Sequence, residues 1–216
     1  MNRFLADEEA TKSLAGEIFA ALPDDWAGWT ILLSGELGAG KSTFARALIK
    51  AAGHQGAVPS PTYTLVEPYK LAAGNIYHVD LYRVSDPEEL RYLGWGELDD
   101  GFRLVEWPDR APDLVNEADL ALELQYSGNS RKASIRGLSA RGSALIQKIK
   151  LARYLYNFAT KTLGFCCQIR ILIRHNLFNS DLCPDDSYAT DTVFTPFAAQ
   201  HGSERGFYRR KCPNMV

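Results

Sequence analysis

Apolar positions along the chain follow two periods in turn, and the switches between them mark the elements. Over residues 7–22 (DEEATKSLAGEIFAAL), Leu14, Ile18, Phe19 and Leu22 recur at helical spacing. Acidic residues at the start of that run suit a helix dipole, and Pro23-Asp24-Asp25 ends it. Trp29 to Ser34 is a short apolar, β-rich run that predicts a buried strand. Lys41 to Ala52 returns to helical spacing through Phe44, Leu48 and Ile49 before Gly53 stops it. A loop rich in glycine and proline then covers Gly53 to Pro61.

The second half of the pattern favours strands. Thr62 to Glu67 is built of β-branched and aromatic residues and predicts a strand, as does Ile76 to Tyr82. The Gly74-Asn75 turn between them makes the pair a candidate hairpin. Asp86 stands at the N-cap position of a short helix over Pro87 to Leu93. Phe102 to Trp107 predicts an apolar strand closed by Pro108. Ala118 to Leu124 and Arg131 to Leu138 alternate, as antiparallel strands toward one edge would. A last helix is expected over Ser139 to Arg153, with Leu145, Ile149 and Leu151 apolar. Interleaved strands and helices predict an α/β fold whose mixed β-sheet is flanked by helices.

Composition changes this picture in one respect. All four tryptophans (Trp26, Trp29, Trp95, Trp107) lie in the first half, and all four cysteines (Cys166, Cys167, Cys183, Cys212) follow residue 165. We therefore expect one domain over residues 1–150 and a poorly defined C-terminal extension over 151–216. The cysteine spacing lacks a C-x-x-C pair, which argues for plain thiols over a zinc site. A net charge of -2 gives no bulk attraction to nucleic acid or membrane. No apolar run reaches the roughly 18–20 residues of a membrane span, and the acidic N-terminus is unlike a secretory signal, so a cytoplasmic enzyme is expected.

The candidate chemistry centres on Gly35-Glu36-Leu37-Gly38-Ala39-Gly40-Lys41-Ser42-Thr43, which fits G-x-x-x-x-G-K-[ST]. A glycine-rich turn frees consecutive backbone N–H groups to point at phosphate oxygens, which a Cβ would keep away. Lys41 would reach the β- and γ-phosphates, and the Ser42 hydroxyl is placed to ligate Mg²⁺. A predicted strand before the loop and a predicted helix after it give the context this motif needs. Hydrolysis also requires an acid near the metal. Glu106 ends the apolar strand Leu104-Val105-Glu106, and Asp80 lies on the strand Ile76 to Tyr82. One carboxylate could hold Mg²⁺ and the other could orient or deprotonate the attacking water. Ser60 to Thr64, stiffened by Pro59 and Pro61, occupies the place of a loop that senses the γ-phosphate.

Four segments in order, GELGAGKSTF (35–44), SPTYTLVEPY (60–69), YHVDLYR (77–83) and LVEWPDR (104–110), resemble the TsaE (YjeE) family of bacterial P-loop ATPases. Residues 10–15 (ATKSLA) are similar to that family's opening helix, and the likeness runs from about residue 5 to about 150. The resemblance implies a role in threonylcarbamoyladenosine modification of adenosine 37 in tRNAs reading codons that start with A. It implies TsaB and TsaD as partners, tRNA contacted only through that complex, and ATP hydrolysis that resets or drives the complex. Gly38, Ala39, Gly40, Lys41, Ser42 and Thr43 would hold the ATP phosphates, and Ser42 and Glu106 would be the Mg²⁺ ligands. Asp80 would be a metal-shell or water-orienting acid, Thr62 part of the γ-phosphate loop, and Thr11 a neighbour of the base. Trp107 would stack close to the site, with Arg131 or Arg83 as sources of positive charge. Most members carry threonine where Ser42 stands; the hydroxyl is kept.

Two other readings compete. A small-molecule P-loop kinase would need an arginine-rich lid, and no arginine cluster stands between the P-loop and Glu106. A nucleotide-dependent binding module without turnover would have no use for both Asp80 and Glu106. In the extension, Arg174 to Asn179 (RHNLFN) is similar to the catalytic loop of small-molecule phosphotransferases, but no aspartate follows the histidine, so a transferase would lack its base.

Overall fold

The computed structural model describes residues 1–92 and 94–162. Seven strands form one sheet: β1 (Asn2–Leu5), β2 (Thr30–Ser34), β3 (Val66–Leu71), β4 (Gly74–Asp80), β5 (Gly101–Glu106), β6 (Leu120–Ser127) and β7 (Ser130–Gly137). The helices are α1 (Glu8–Ala21), α2 (Lys41–Ala51), α3 (Glu89–Tyr92) and α4 (Ala140–Thr162). Strand order is β1-β7-β6-β2-β5-β4-β3. The central strands β6, β2, β5 and β4 are parallel, and β3, β7 and β1 are added through antiparallel pairings. The expected mixed α/β sheet is therefore the fold.

Side-chain alternation sorts the core into two layers. Ile31 and Leu33 of β2, Phe102 and Leu104 of β5, and Leu120, Leu122 and Leu124 of β6 pack beneath α1, α2 and α4, against Leu14, Ile18, Phe44, Leu48, Leu145 and Ile149. The opposite parity, Leu32, Val79 and Val105, joins Leu81, Leu90, Leu98 and Leu114 under short helical turns. By the same parity, Glu106 continues the Phe102–Leu104 side, and Ile76, His78 and Asp80 share one side of β4. That is the face on which α2 begins. The strand period thus delivers the acids to the phosphate loop.

Several expectations need correction. Thr62 to Leu65 is a turn, closed by a bond from the Leu65 N–H to the Pro61 carbonyl (2.7 Å), with Leu65 at φ 64°. Strand β3 starts only at Val66, because the left-handed Leu65 breaks the extended backbone. Strands β6 and β7 do pair antiparallel toward one edge, but β6 also runs parallel beside β2, and a further strand lies outside β7. The edge is β1, four residues whose charged and apolar mix carries too short a pattern to read. The last helix continues through position 150 to Thr162, nine residues beyond Arg153. Leu93, the rest of the extension, Arg174 to Asn179 and the four cysteines lie outside the described residues. Among the described residues, no helix is long and apolar enough to cross a membrane.

Candidate nucleotide and metal site

The loop between β2 and α2 is shaped by its glycines and braced from behind. Gly35, at φ 133°, has no room for a side chain, since a Cβ would fall 2.2 Å from the Leu124 carbonyl oxygen. Gly38, at φ 76°, would put a Cβ 2.7 Å from the Tyr126 hydroxyl. That hydroxyl donates to the Leu37 carbonyl (2.9 Å), and Arg131 Nη2 donates to the Gly38 carbonyl (3.4 Å). The Arg131 guanidinium lies over the Tyr126 ring. The β6–β7 hairpin therefore buttresses the loop, a contribution of Tyr126 that the sequence pattern did not reveal.

At the start of α2 the first amides lack intrahelical acceptors, as in any helix, and the positive end of the helix points the same way. Phe44 N–H to the Gly40 carbonyl (2.9 Å) is the first bond into the helix. Lys41 is buried, and its Nζ donates to the carbonyls of Gly35 (2.7 Å) and Glu36 (2.9 Å). The same ammonium sits 3.7 Å over the Trp107 ring. Burial pulls its pKa below the usual lysine range, against the opposing charges of Glu106, Asp80 and Asp109.

Trp107 reaches that position through an unusual backbone. Its φ of 59° is left-handed, a conformation that costs a non-glycine residue about 1 kcal/mol or more. The turn reverses the chain after Glu106 and aims the indole toward Lys41, while Tyr82 packs on the ring at 5.0 Å. The expected neighbour of the site is thus in contact with its lysine.

The acids come together because β2, β5 and β4 are adjacent and in register. Leu33 pairs with Glu106, and Glu106 pairs with Asp80. Glu106 and Asp80 expose only 1% and 2% of their surface. Ser42 Oγ donates to Glu106 Oε2 at 2.9 Å. This pair is the test of whether a cation fits. A hydroxyl and a carboxylate oxygen are hard donors at hydrogen-bond distance, and Mg²⁺ favours such oxygens while keeping its other ligands from water and phosphate. The residues fit. Asp80 is engaged differently: Oδ2 accepts from the Thr62 hydroxyl (2.6 Å) and Oδ1 from the Tyr82 N–H (2.9 Å). Thr62 in turn lies 3.1 Å from Ser60 Oγ. The carboxylate at the end of β4 therefore ties down the loop over residues 60–65.

Three further placements follow. Thr11 is buried in the first turn of α1, where its hydroxyl donates to the Asp7 carbonyl at 3.4 Å. Arg83 stacks over Tyr63 at 4.3 Å, on the Thr62 loop and away from Lys41's own contacts. His78, which the sequence reading left without a role, faces Glu106, with Nε2 at 2.8 Å from Oε1. The readable signal was its two-residue spacing from Asp80, which puts both on one side of a strand.

Comparison with known proteins bears on the family and the fold. A family model described as "Threonylcarbamoyl adenosine biosynthesis protein TsaE" matches residues 5–134. The Haemophilus influenzae protein named tRNA threonylcarbamoyladenosine biosynthesis protein TsaE is 41% identical over 118 residues, covering 54% of this chain and 75% of that one. The protein of the same name from Aquifex aeolicus is 40% identical over 134 residues, covering 61% and 92%. The crystal structure of Bacillus subtilus YdiB superposes with a TM-score of 0.55 at 22% identity, over 70% of this chain and 94% of that one, which shows the shared fold. Family model, relatives and phosphate-loop geometry lead to one conclusion: this chain belongs to the TsaE family.

Proposed function

We propose that this chain is a Mg²⁺-dependent ATPase that serves threonylcarbamoyladenosine formation at adenosine 37 of tRNAs reading codons that start with A. In this reading it works in the cytoplasm with TsaB and TsaD and meets tRNA only through that complex. The observation that carries it is the Ser42 hydroxyl at 2.9 Å from buried Glu106, directly beside the phosphate loop and Lys41. A buried carboxylate beside that hydroxyl is what metal-dependent hydrolysis requires.

ATP is the substrate. The backbone amides from Gly38 to Thr43 would receive its phosphate oxygens, and Lys41 would exchange its two carbonyl partners for the β- and γ-phosphates. Ser42 and Glu106 would hold Mg²⁺, which when bound neutralises charge on the β- and γ-oxygens. Each Asp80 oxygen has a second lone pair beyond the bonds to Thr62 and Tyr82, and one of these would orient the attacking water. Thr62 would sense the γ-phosphate through the same carboxylate. Thr11 would lie toward the base. Arg131 already approaches the loop at Gly38, whereas Arg83 is held on Tyr63.

Slow turnover in isolation follows, since Arg131 is engaged by the Gly38 carbonyl and the Tyr126 ring and Arg83 by the Tyr63 ring, so neither serves as a transition-state clamp and a partner could complete the site. The test is ATP hydrolysis by the purified chain with Mg²⁺, with and without a TsaB–TsaD pair. Strong stimulation by the pair is expected. An unstimulated rate of order 10 per second would sink the partner-dependent reading. Intact nucleotide binding with no response to the pair would point to another acceptor, as in a small-molecule kinase.

A further inference from the structure

We propose that His78 is the positioning residue of the metal carboxylate, holding Glu106 so that one oxygen is committed inward and the other is presented to Ser42 and the cation. The inference rests on the Mg²⁺ role given above to Ser42 and Glu106. Its geometry is a division of labour between two oxygens. Oε1 of Glu106 faces His78 Nε2 at 2.8 Å, and Oε2 faces Ser42 Oγ at 2.9 Å. With either contact missing, the terminal torsion of a glutamate is broad, and the carboxylate could turn away from the hydroxyl. With both present, its plane is fixed.

Burial decides that the contact is more than incidental. His78 is fully buried and Glu106 exposes 1%. A leucine at position 78 would fill the interior without burying polar atoms. The imidazole also leaves Nδ1 buried with no hydrogen-bond partner among the described residues. A bare N–H there would cost more than a bare lone pair, so the proton belongs on Nε2, where it is donated to the carboxylate. Among the described residues the His78 side chain has this one polar attachment, and that attachment is the carboxylate beside Ser42. The strands explain why it reaches. His78 pairs with Leu104 in the parallel register, two residues before Glu106 on the same side of the sheet. Metal-ligating carboxylates are commonly oriented by such hydrogen bonds, and loss of the orienting partner costs about 10- to 100-fold in metal affinity.

The test measures metal affinity directly. Mn²⁺ is titrated, by its paramagnetic resonance signal, into wild-type protein, His78→Leu and His78→Gln, each with ADP present. Metal-free ADP binding of each variant serves as the check that the loop is intact. His78→Leu should bind Mn²⁺ about 10- to 100-fold more weakly at unchanged metal-free ADP affinity. His78→Gln, which carries an N–H donor at similar reach, should recover most of the loss. Unchanged Mn²⁺ affinity in His78→Leu, or a glutamine variant as weak as the leucine one, overturns the proposal. Nitrogen NMR of the wild-type imidazole decides independently of any variant's folding. A protonated Nε2 with a bare Nδ1 supports the assignment, and the opposite tautomer overturns it. Wild-type protein that binds ADP but shows no Mn²⁺ site would instead overturn the metal role of Ser42 and Glu106, and this proposal with it.

Discussion

Buried carboxylates stand at both ends of the parallel strands, and they are bonded in different ways. At the N-terminal ends, Asp119 meets a guanidinium through two bonds, from Arg141 Nε to Oδ1 (2.6 Å) and Nη2 to Oδ2 (2.8 Å). It also accepts the Ser139 hydroxyl (2.6 Å) and the Thr30 N–H (3.1 Å), which pins the start of α4 to the start of β2. At the C-terminal ends, Glu106 and Asp80 are held by hydroxyls, an amide and an imidazole. The first arrangement satisfies a charge with a charge and has nothing left to do. The second keeps charge available near a phosphate loop, in the crevice where parallel α/β sheets bind ligands. Burial alone does not separate structural from chemical acids; the nature of their partners does.

The contrast can be broken most sharply at Glu106. Replacement by alanine should lower ATP turnover about 100-fold or more, with a much smaller change in nucleotide affinity. Phosphate-release kinetics and ADP titration would show it, and unchanged turnover would remove the metal assignment. Asp119→Ala should do the reverse. It leaves the Thr30 N–H and the Ser139 hydroxyl without their acceptor and a half-exposed Arg141 with only the Gly28 carbonyl, which should cost about 2 kcal/mol after solvent screening of the arginine. Thermal unfolding should show a fall of about 4–8 °C, with ADP affinity per folded molecule unchanged. A large loss of affinity there would mean that the two ends of the sheet are coupled.

The smallest effect on stability belongs to Lys41. Its folded pKa is lowered by burial, so the charged form is penalised in the fold. That penalty is fully present below the folded pKa and vanishes as pH approaches the ordinary value of 10.5, where the unfolded chain also gives up its proton. Lys41→Met should therefore be at least as stable as wild type at neutral pH, while losing ATP-dependent function, and its advantage should shrink toward pH 10.5. Urea unfolding at neutral and alkaline pH would test the sign. An advantage that grows with pH would show that the contacts to Gly35, Glu36 and Trp107 outweigh the burial.

Much of the fold was legible because its signals are local. The apolar run before Gly35 and the helical spacing after Lys41 each need only neighbouring residues, and so does the strand that ends at Glu106. The Thr62 region misled because β-branched and aromatic residues favour a strand, while the long-range bond from Thr62 to Asp80 holds a turn there. That bond joins residues 18 apart, and no window of sequence contains its reason. Likewise His78 stands in a motif that was read, yet its partner Glu106 lies on the next strand, 28 positions away. Finding that pair required strand order and register, which are properties of the assembled sheet. Tyr126 braces the phosphate loop from 89 positions away, by the same route.

The contacts of Lys41 bear on how the proposed nucleotide exchange would run. Its ammonium is held by two carbonyls and an indole face, so a phosphate would gain only the difference between two partnered states of the same buried cation. If the chain turns over ATP as proposed, the lysine would have partners ready to receive it when product leaves, and no unpaired buried charge would oppose release. Such a loop trades grip for traffic. Under the proposed ATPase role, release of ADP at each round would be eased by a cation that is never without a place to go.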